Sequence, residues 1–381
     1  MELTYLVENK LGGVTSLNYN LASHAPPSFK QFVIHIGLQE ETMAVSNIAF
    51  PVDEERFFYY SRNDNYYQVL KSMWKMIPEK KGALVLNYEP EMAMLDHYPV
   101  QQTTYQLVHD DYNFKLALKY HHITDVFIVH NAEIYERLVS SLPERKGDIY
   151  YLPHGVTIPA VYRQHEPTAP LKLLFLGRMT ASKGIYDLPV ISDLLLKNNV
   201  SFEWTCIGNG PELNELKSKW GETTYPVSFC LPATNDEVIR ICAMHDVFVL
   251  PTKFEGSPVS LLETMASGLV PVITRLPGSI ADIVSEDIGF AIPMDGNEQF
   301  ANAITLLFNN RERLAELSHN SREKIVSNFD IKQTALEYHA LFSQYEKLHK
   351  EKTLKKNKVG SLLDQTYIPA GLTRMVRKAI H

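Results

Sequence analysis

The chain has 381 residues, 45% of them hydrophobic and 21% charged, with a formal net charge of −7 and a pI near 6.1. This is enough chain for two domains with a core each, and the composition is that of a folded protein rather than a disordered one. Duplex-binding proteins carry a strongly basic domain, so the acidic balance argues against a nucleic-acid partner.

The opening MELTYLVENKLGG has no basic start followed by an apolar stretch, and so does not read as a signal peptide. No apolar run approaches the roughly 18–20 residues that span a bilayer. The expected location is the cytosol. The three cysteines, Cys206, Cys230 and Cys242, lie in or beside apolar segments at no metal-ligand spacing. They read as buried, reduced packing residues.

In chain order, the first half predicts strands at Glu2–Val7, Phe32–Ile36, Ala83–Leu86, Tyr105–Val108, Asp125–Val129 and Ile149–Leu152. Helical patterns lie between them, among them Val14–Ser23, Gln68–Met76 and Asn131–Ser141. The second half repeats the alternation. Its strands read as Leu171–Leu176, Phe202–Ile207, Val227–Leu231, Asp246–Leu250, Val270–Ile273 and Gly289–Ile292. Its helices read as Ile185–Lys197, Glu212–Trp220, Asn235–Met244, Pro258–Ser267, Glu298–Asn309 and Arg311–Asn328. Strands alternating with helices predict parallel sheets, and two successive doubly wound units fit better than one oversized sheet. The expected domains are 1–155 and 156–345, both Rossmann-like, with a proline-rich hinge near Pro153–Pro170.

The remaining stretch, 346–381, holds nine Lys/Arg against three Asp/Glu and closes on an apolar and basic segment, Ile368–Ile380. It reads either as a tail packing back on the first domain or as a contact with an anionic inner-membrane face.

The chemistry concentrates at predicted strand ends, where ligands bind in such folds. In PTKFEGSPVSLLETMASGLVPVIT, Pro251–Thr274, a strand gives way to a loop with Glu255, Gly256 and Ser257 and then a helix from about Pro258. Free N–H groups near Ser257, Pro258 and Val259 favour a phosphate, and a loop carboxylate can accept from sugar hydroxyls. Glu263 sits one to two turns into that helix. In LKLLFLGRMTASKG, Leu171–Gly184, Gly177 permits a sharp turn and the Arg178–Lys183 pair suits a diphosphate. Gly12 and Gly13 follow the first strand and would let backbone approach a phosphate or sugar from the opposite domain. His109, at the end of an apolar strand beside Asp110, is placed to meet a sugar hydroxyl or the reacting centre. Gly208, in the CIGNGPE turn, would line a nucleotide pocket. No Asp-x-Asp triplet of a metal-dependent transferase occurs, so no metal and no cofactor is expected.

These motifs, GR…KG, IGNGP and FEG…LLETMASGLVPVI in this order and spacing, resemble the large retaining glycosyltransferase family 4, the group 1 glycosyl transferases, over roughly Tyr151–Phe342. In the first half, Gly12-Gly13, His109-Asp110 and the HGVTIP turn at His154–Pro159 agree, although relatives usually carry Asn where His154 stands. The resemblance implies a GT-B fold, two Rossmann-like domains facing across a cleft, with a nucleotide-diphosphate sugar as co-substrate. It implies that Arg178 and Lys183 bind the diphosphate, Glu263 the ribose hydroxyls and Glu255 the donor sugar. His109 would contact the sugar near its anomeric carbon. Gly13 would offer backbone, and the base would rest against Ile207–Gly208 and the Cys230–Ala233 turn. It further implies retention of configuration and transfer to a sugar, lipid-linked or other glycan acceptor, in surface polysaccharide or glycoconjugate assembly. The rivals are a nucleotide-sugar epimerase of the same fold, a binding protein without turnover and, more distantly, an NAD-dependent dehydrogenase.

Overall fold

The computed structural model describes residues 1–10, 12–40, 49–163, 170–221, 223–232, 234–256, 258–276, 280 and 283–380; the side chains of Asn235 and Ile380 are not described. The chain divides into two compact units. The first comprises Met1–Gly155 with Lys332–His381, and the second Val156–Ile331. The boundary falls inside the predicted hinge, whose residues 164–169 lie outside those described. The second unit ends at Ile331 instead of residue 345, because the helix Ile331–Phe342 buries Ala335, Tyr338 and Phe342 in the first.

The first unit is built on β1 (Glu2–Glu8), β2 (Lys30–Leu38), β3 (Glu54–Tyr60), β4 (Gly82–Leu86), β5 (Thr103–Val108), β6 (Val126–Val129) and β7 (Ile149–Tyr151). They form one parallel sheet in the order β3-β2-β1-β4-β5-β6-β7. The second unit has β8 (Leu171–Leu176), β9 (Phe202–Ile207), β10 (Val227–Cys230), β11 (Val247–Leu250), β12 (Val270–Thr274) and β13 (Phe290–Ile292). Their order is β10-β9-β8-β11-β12-β13, again all parallel. β4, β5, β6, β11 and β12 are buried along their whole length, as central strands covered on both faces must be. Each sheet reverses its strand order once, between β1 and β4 and between β8 and β11. Such a reversal opens a crevice at the carboxyl ends of the strands.

The predicted strands are present within one or two residues at their ends. β3 was not predicted. Its EERFFYY carries three charged residues in a row, and only pairing with β2 shows it to be a half-exposed edge strand. The basic stretch after Glu346 belongs to the first unit. Asp364, 1% exposed, accepts from Tyr66 N at 2.7 Å and pairs with Arg377 at 2.5 Å. Asn65 Nδ2 donates to the backbone oxygens of Leu363 and Gln365. Among the described residues no helix is long and apolar enough to cross a membrane. Cys206 and Cys242 are buried and Cys230 half-buried, all free, with burial pushing the thiols up.

Candidate active site

In the second unit the two loops that carry the predicted residues leave β8 and β11, the strands that flank the reversal. After β8 the chain passes Gly177 and Arg178 and makes a single 3-10 turn, Ala181–Lys183. That turn is tied to the loop after β11, where Lys253 N donates to Ser182 O at 2.8 Å and Thr252 Oγ1 to the same oxygen at 3.2 Å. The tie brings Lys183 Nζ to 2.5 Å from Glu255 Oε1, with only 7% of the Glu255 side chain exposed. Residues 72 apart in sequence thus form one ion pair. Arg178 is exposed at the end of β8. In this structure the partner of Lys183 is the Glu255 carboxylate. An ammonium has three donors, so the pair leaves Lys183 able to hold an anion as well.

The helix that follows spans Val259–Ala266, with Pro258 at its N-cap. Pro258 has no N–H, so the first free donors at this helix start are those of Val259 and Ser260. Gly256 lies next to Glu255, and Ser257 lies outside the described residues. One turn in, Glu263 is part-buried with its carboxyl enclosed by protein, and burial pushes it up to about 7. A carboxylate held this way gains from a ligand that donates to it.

Gly177 was expected to allow a sharp turn, but its backbone is unremarkable and a Cβ there would make only ordinary contact with Phe175. Positions that need glycine are Gly184, at φ 69°, where a Cβ would lie 1.8 Å from the Pro251 carbonyl oxygen, and Gly208, at φ 137°, where it would lie 2.0 Å from that of Gly177. The two strand ends therefore touch backbone to backbone, which aligns the floor beneath the Lys183 loop. Of the predicted base-contact turn, Ala233 lies outside the described residues.

In the first unit the reversal lies between β1 and β4, with Gly12 and Gly13 after β1, Asn87 after β4 and His109 after β5. Gly12 is the exposed N-cap of the helix Gly13–Ser23, in extended backbone, with open space where a Cβ would stand. Neither its conformation nor its packing requires glycine. Asn87 is fixed from several sides. Its N–H donates to Glu91 Oε2 at 2.5 Å and its Nδ2 to Leu6 O at 2.7 Å, which leaves Oδ1 facing His109 Nε2 at 3.2 Å. His109 Nε2 must therefore carry the proton, and His109 Nδ1 accepts from His154 Nε2 at 3.2 Å. His109 is 4% exposed, so a ligand hydroxyl would replace one of these partners. Asp110 caps the helix Asp111–Tyr120 by accepting from Asn113 N at 3.0 Å.

A third imidazole completes the cluster. His130, after β6, stacks on His109 with ring centroids 4.7 Å apart and meets His154 edge-on at 4.3 Å. Its Nδ1 donates to Leu152 O at 2.9 Å, and the Tyr338 hydroxyl lies 2.9 Å from the same nitrogen. One nitrogen from each of the three rings lies within 4.8 Å of the others, close enough for a shared metal ion, yet both nitrogens of His109 are already hydrogen-bonded. Burial holds all three imidazoles neutral, His130 down to about 4. Sequence reasoning missed Asn87, His130 and Tyr338. His130 had the same signature as His109, a histidine closing a continuous apolar strand, whereas Tyr338 lies 208 residues from His130 and gave no local signal.

Residues 162–324 match the family described as "Glycosyl transferases group 1". Among curated relatives, an Escherichia coli UDP-Gal:alpha-D-GlcNAc-diphosphoundecaprenol alpha-1,3-galactosyltransferase is 27% identical over 158 residues, 41% of each chain. The Arabidopsis thaliana sulfoquinovosyl transferase SQD2 is 31% identical over 163 residues, 42% of this chain and 30% of that one. The matched stretch thus spans less than half the length of these relatives. Among solved structures, Anabaena Alr3699/HepE in complex with UDP and glucose superposes with a TM-score of 0.72 at 14% identity, over 90% of this chain and all of that one. Sucrose-phosphate synthase from Thermosynechococcus elongatus gives a TM-score of 0.70 at 15% identity. Residues 162–324, less than half of the chain, are thus similar to the group 1 glycosyl transferases, and the two parallel-sheet α/β units are those of the GT-B fold.

Proposed function

We propose that the chain is a retaining glycosyltransferase that moves a sugar from a uridine-diphosphate sugar to a glycan or lipid-linked glycan acceptor without help from a metal. The observation that carries this reading is the meeting of Lys183, Glu255 and the Val259 helix start at the β8–β11 reversal, with Glu263 one turn behind. The choice of uridine rests on the galactosyltransferase relative and on HepE, whose names record UDP-linked ligands.

Breaking a sugar–phosphate bond builds negative charge on the departing diphosphate while the sugar becomes cation-like. Lys183 and Arg178 supply fixed positive charge, and the N–H groups of Val259 and Ser260 add dipoles aimed at the same place. Glu255, anchored by Lys183, orients the sugar hydroxyls. Glu263 accepts from the ribose, and His109 is assigned a contact with a sugar hydroxyl. The Gly12-Gly13 backbone lies open to a phosphate or the acceptor. Because Lys183 and Arg178 already offset the leaving charge and the sequence carries no Asp-x-Asp triplet, the reaction is assigned no divalent ion. A donor of this class is cytosolic, which places the reaction there, and the relatives' names point to surface polysaccharide or glycolipid assembly.

Thermal shift with a panel of nucleotides and nucleotide sugars tests the donor. A specific binder at a hundredfold excess over its Kd stabilises by about 2.7 kcal/mol. Product analysis with and without candidate acceptors follows. A new epimer from the donor alone would assign an epimerase instead, and binding without any product would assign a carrier.

A further inference from the structure

β3 presents an unusual surface for an edge strand. Phe57 and Tyr59 are 52% and 43% exposed, with ring planes within 10° of each other and centroids 6.5 Å apart. Each ring is backed by β2, in the register His35 opposite Phe57 and Gly37 opposite Tyr59. The buried His35 imidazole stacks on Phe57 at 4.7 Å with an interplanar angle of 11°. Tyr59 lies over Gly37, so closely that a Cβ there would meet its ring at 2.9 Å. Both rings therefore have one face covered and the other open.

The platform is also fixed in direction and lies beside the candidate site. Asn9 Nδ2 donates to the Tyr59 hydroxyl at 2.7 Å. Asn9 directly follows β1 and stands three residues before Gly12, at the carboxyl end of the sheet. Asn9 is 4% exposed, and its Oδ1 has no hydrogen-bond partner among the described residues. A flat, open, apolar surface that carries the Tyr59 hydroxyl, itself fixed by Asn9, matches a pyranose ring, which has a C–H face and an equatorial belt of hydroxyls.

We propose that Phe57 and Tyr59 form a stacking platform for a hexopyranose ring of the acceptor, with the Tyr59 hydroxyl, held by Asn9, meeting one of its hydroxyls. This rests on the glycosyltransferase reading and names where that enzyme holds its acceptor. The platform is in the first unit and the Lys183–Glu255 pair in the second.

The test is saturation-transfer NMR on the full chain, saturated with UDP, using the methyl pyranosides of glucose, galactose, mannose and N-acetylglucosamine as probes. At least one should show transfer to its ring C–H protons. Phe57→Ala and Tyr59→Ala should abolish that transfer, and Tyr59→Phe should keep it. In a transfer assay both alanine variants should raise the acceptor KM about tenfold with donor KM unchanged. UDP binding by calorimetry should be the same in all variants, so its absence in the parent chain would count against the glycosyltransferase reading and not against the platform alone. The platform is overturned if the parent chain binds UDP but shows no sugar transfer, or if both alanine variants retain the signal. It is equally overturned if these variants only change the oligomeric state, which would make β3 an edge that pairs with a second copy.

Discussion

The two strand-end regions are built on the same topology and on opposite electrostatics. In the second unit a lysine, two glutamates and a helix start gather where β8 and β11 part, and burial pushes Glu263 up to about 7. In the first unit three imidazoles gather where β5, β6 and β7 end, all neutral and largely satisfied by Asn87, Leu152 and one another. The difference teaches which half must meet a charged ligand. A site left electrostatically incomplete suits a diphosphate and a ribose. A neutral one suits an uncharged sugar, whose hydroxyls can exchange with the hydrogen bonds already there.

The strongest way to break this contrast is Lys183→Ala. Transfer should fall by about 10²–10³-fold, as for loss of one donor to a developing charge, with circular dichroism unchanged. Full activity in a folded variant would remove Lys183 from the chemistry.

Glu263→Gln tests the incompleteness itself. Its carboxyl would ionise near 4.5 in the unfolded chain and near 7 in the fold, so the fold holds the extra proton and loses stability as pH rises across that window. The variant should therefore be more stable than the parent at pH 8, on the order of 1–3 kcal/mol in urea unfolding, with no gain at pH 4. It should bind nucleotide more weakly at pH 8, and that deficit should shrink as the parent's carboxyl protonates. Equal nucleotide affinity at every pH would separate Glu263 from the ribose.

The histidine cluster has the reverse sign. His130 takes a proton at about 6.5 when unfolded but only at about 4 when folded, so the first unit should lose stability as pH falls between those values. Protection of the β5 and β6 amides from hydrogen exchange, corrected for the intrinsic rate at each pH, should fall over that range by roughly 1–3 kcal/mol of opening free energy. His130→Asn should flatten the dependence; an unchanged slope would place the acid sensitivity elsewhere.

The smallest effect expected is for Arg377→Ala, which removes the partner of the buried Asp364. A cost of about 1 kcal/mol and faster proteolysis within 350–380 would follow if the stretch is held as part of the first unit. No change in cleavage would mean that the remaining hydrogen bonds to Asp364 suffice.

The second unit's site was more legible than the first's, for a physical reason. Its residues are presented by loops and a helix start within a few positions of a strand end, so Gly177–Lys183 and Glu255–Glu263 show in short contiguous motifs. Even there, the pairing of Lys183 with Glu255 joins loops 72 residues apart, and the requirement for glycine proved to lie at Gly184 and Gly208 and not at Gly177. In the first unit, β3 was missed because a half-exposed edge strand has no continuous apolar run, and its aromatic ladder has meaning only against His35 and Gly37 across the β2 register.

Alternation of apolar runs with amphipathic segments was enough, from the sequence by itself, to determine two parallel-sheet units, and the motifs in 171–184 and 251–274 carried the family resemblance. Both are local properties, set by side-chain periodicity and by the residues a strand-to-helix turn demands. Which side chains share a proton, which carboxyl is enclosed by protein and which rings lie flat and open were decided by tertiary structure alone. Those depend on distances between segments that the chain brings together only when it folds.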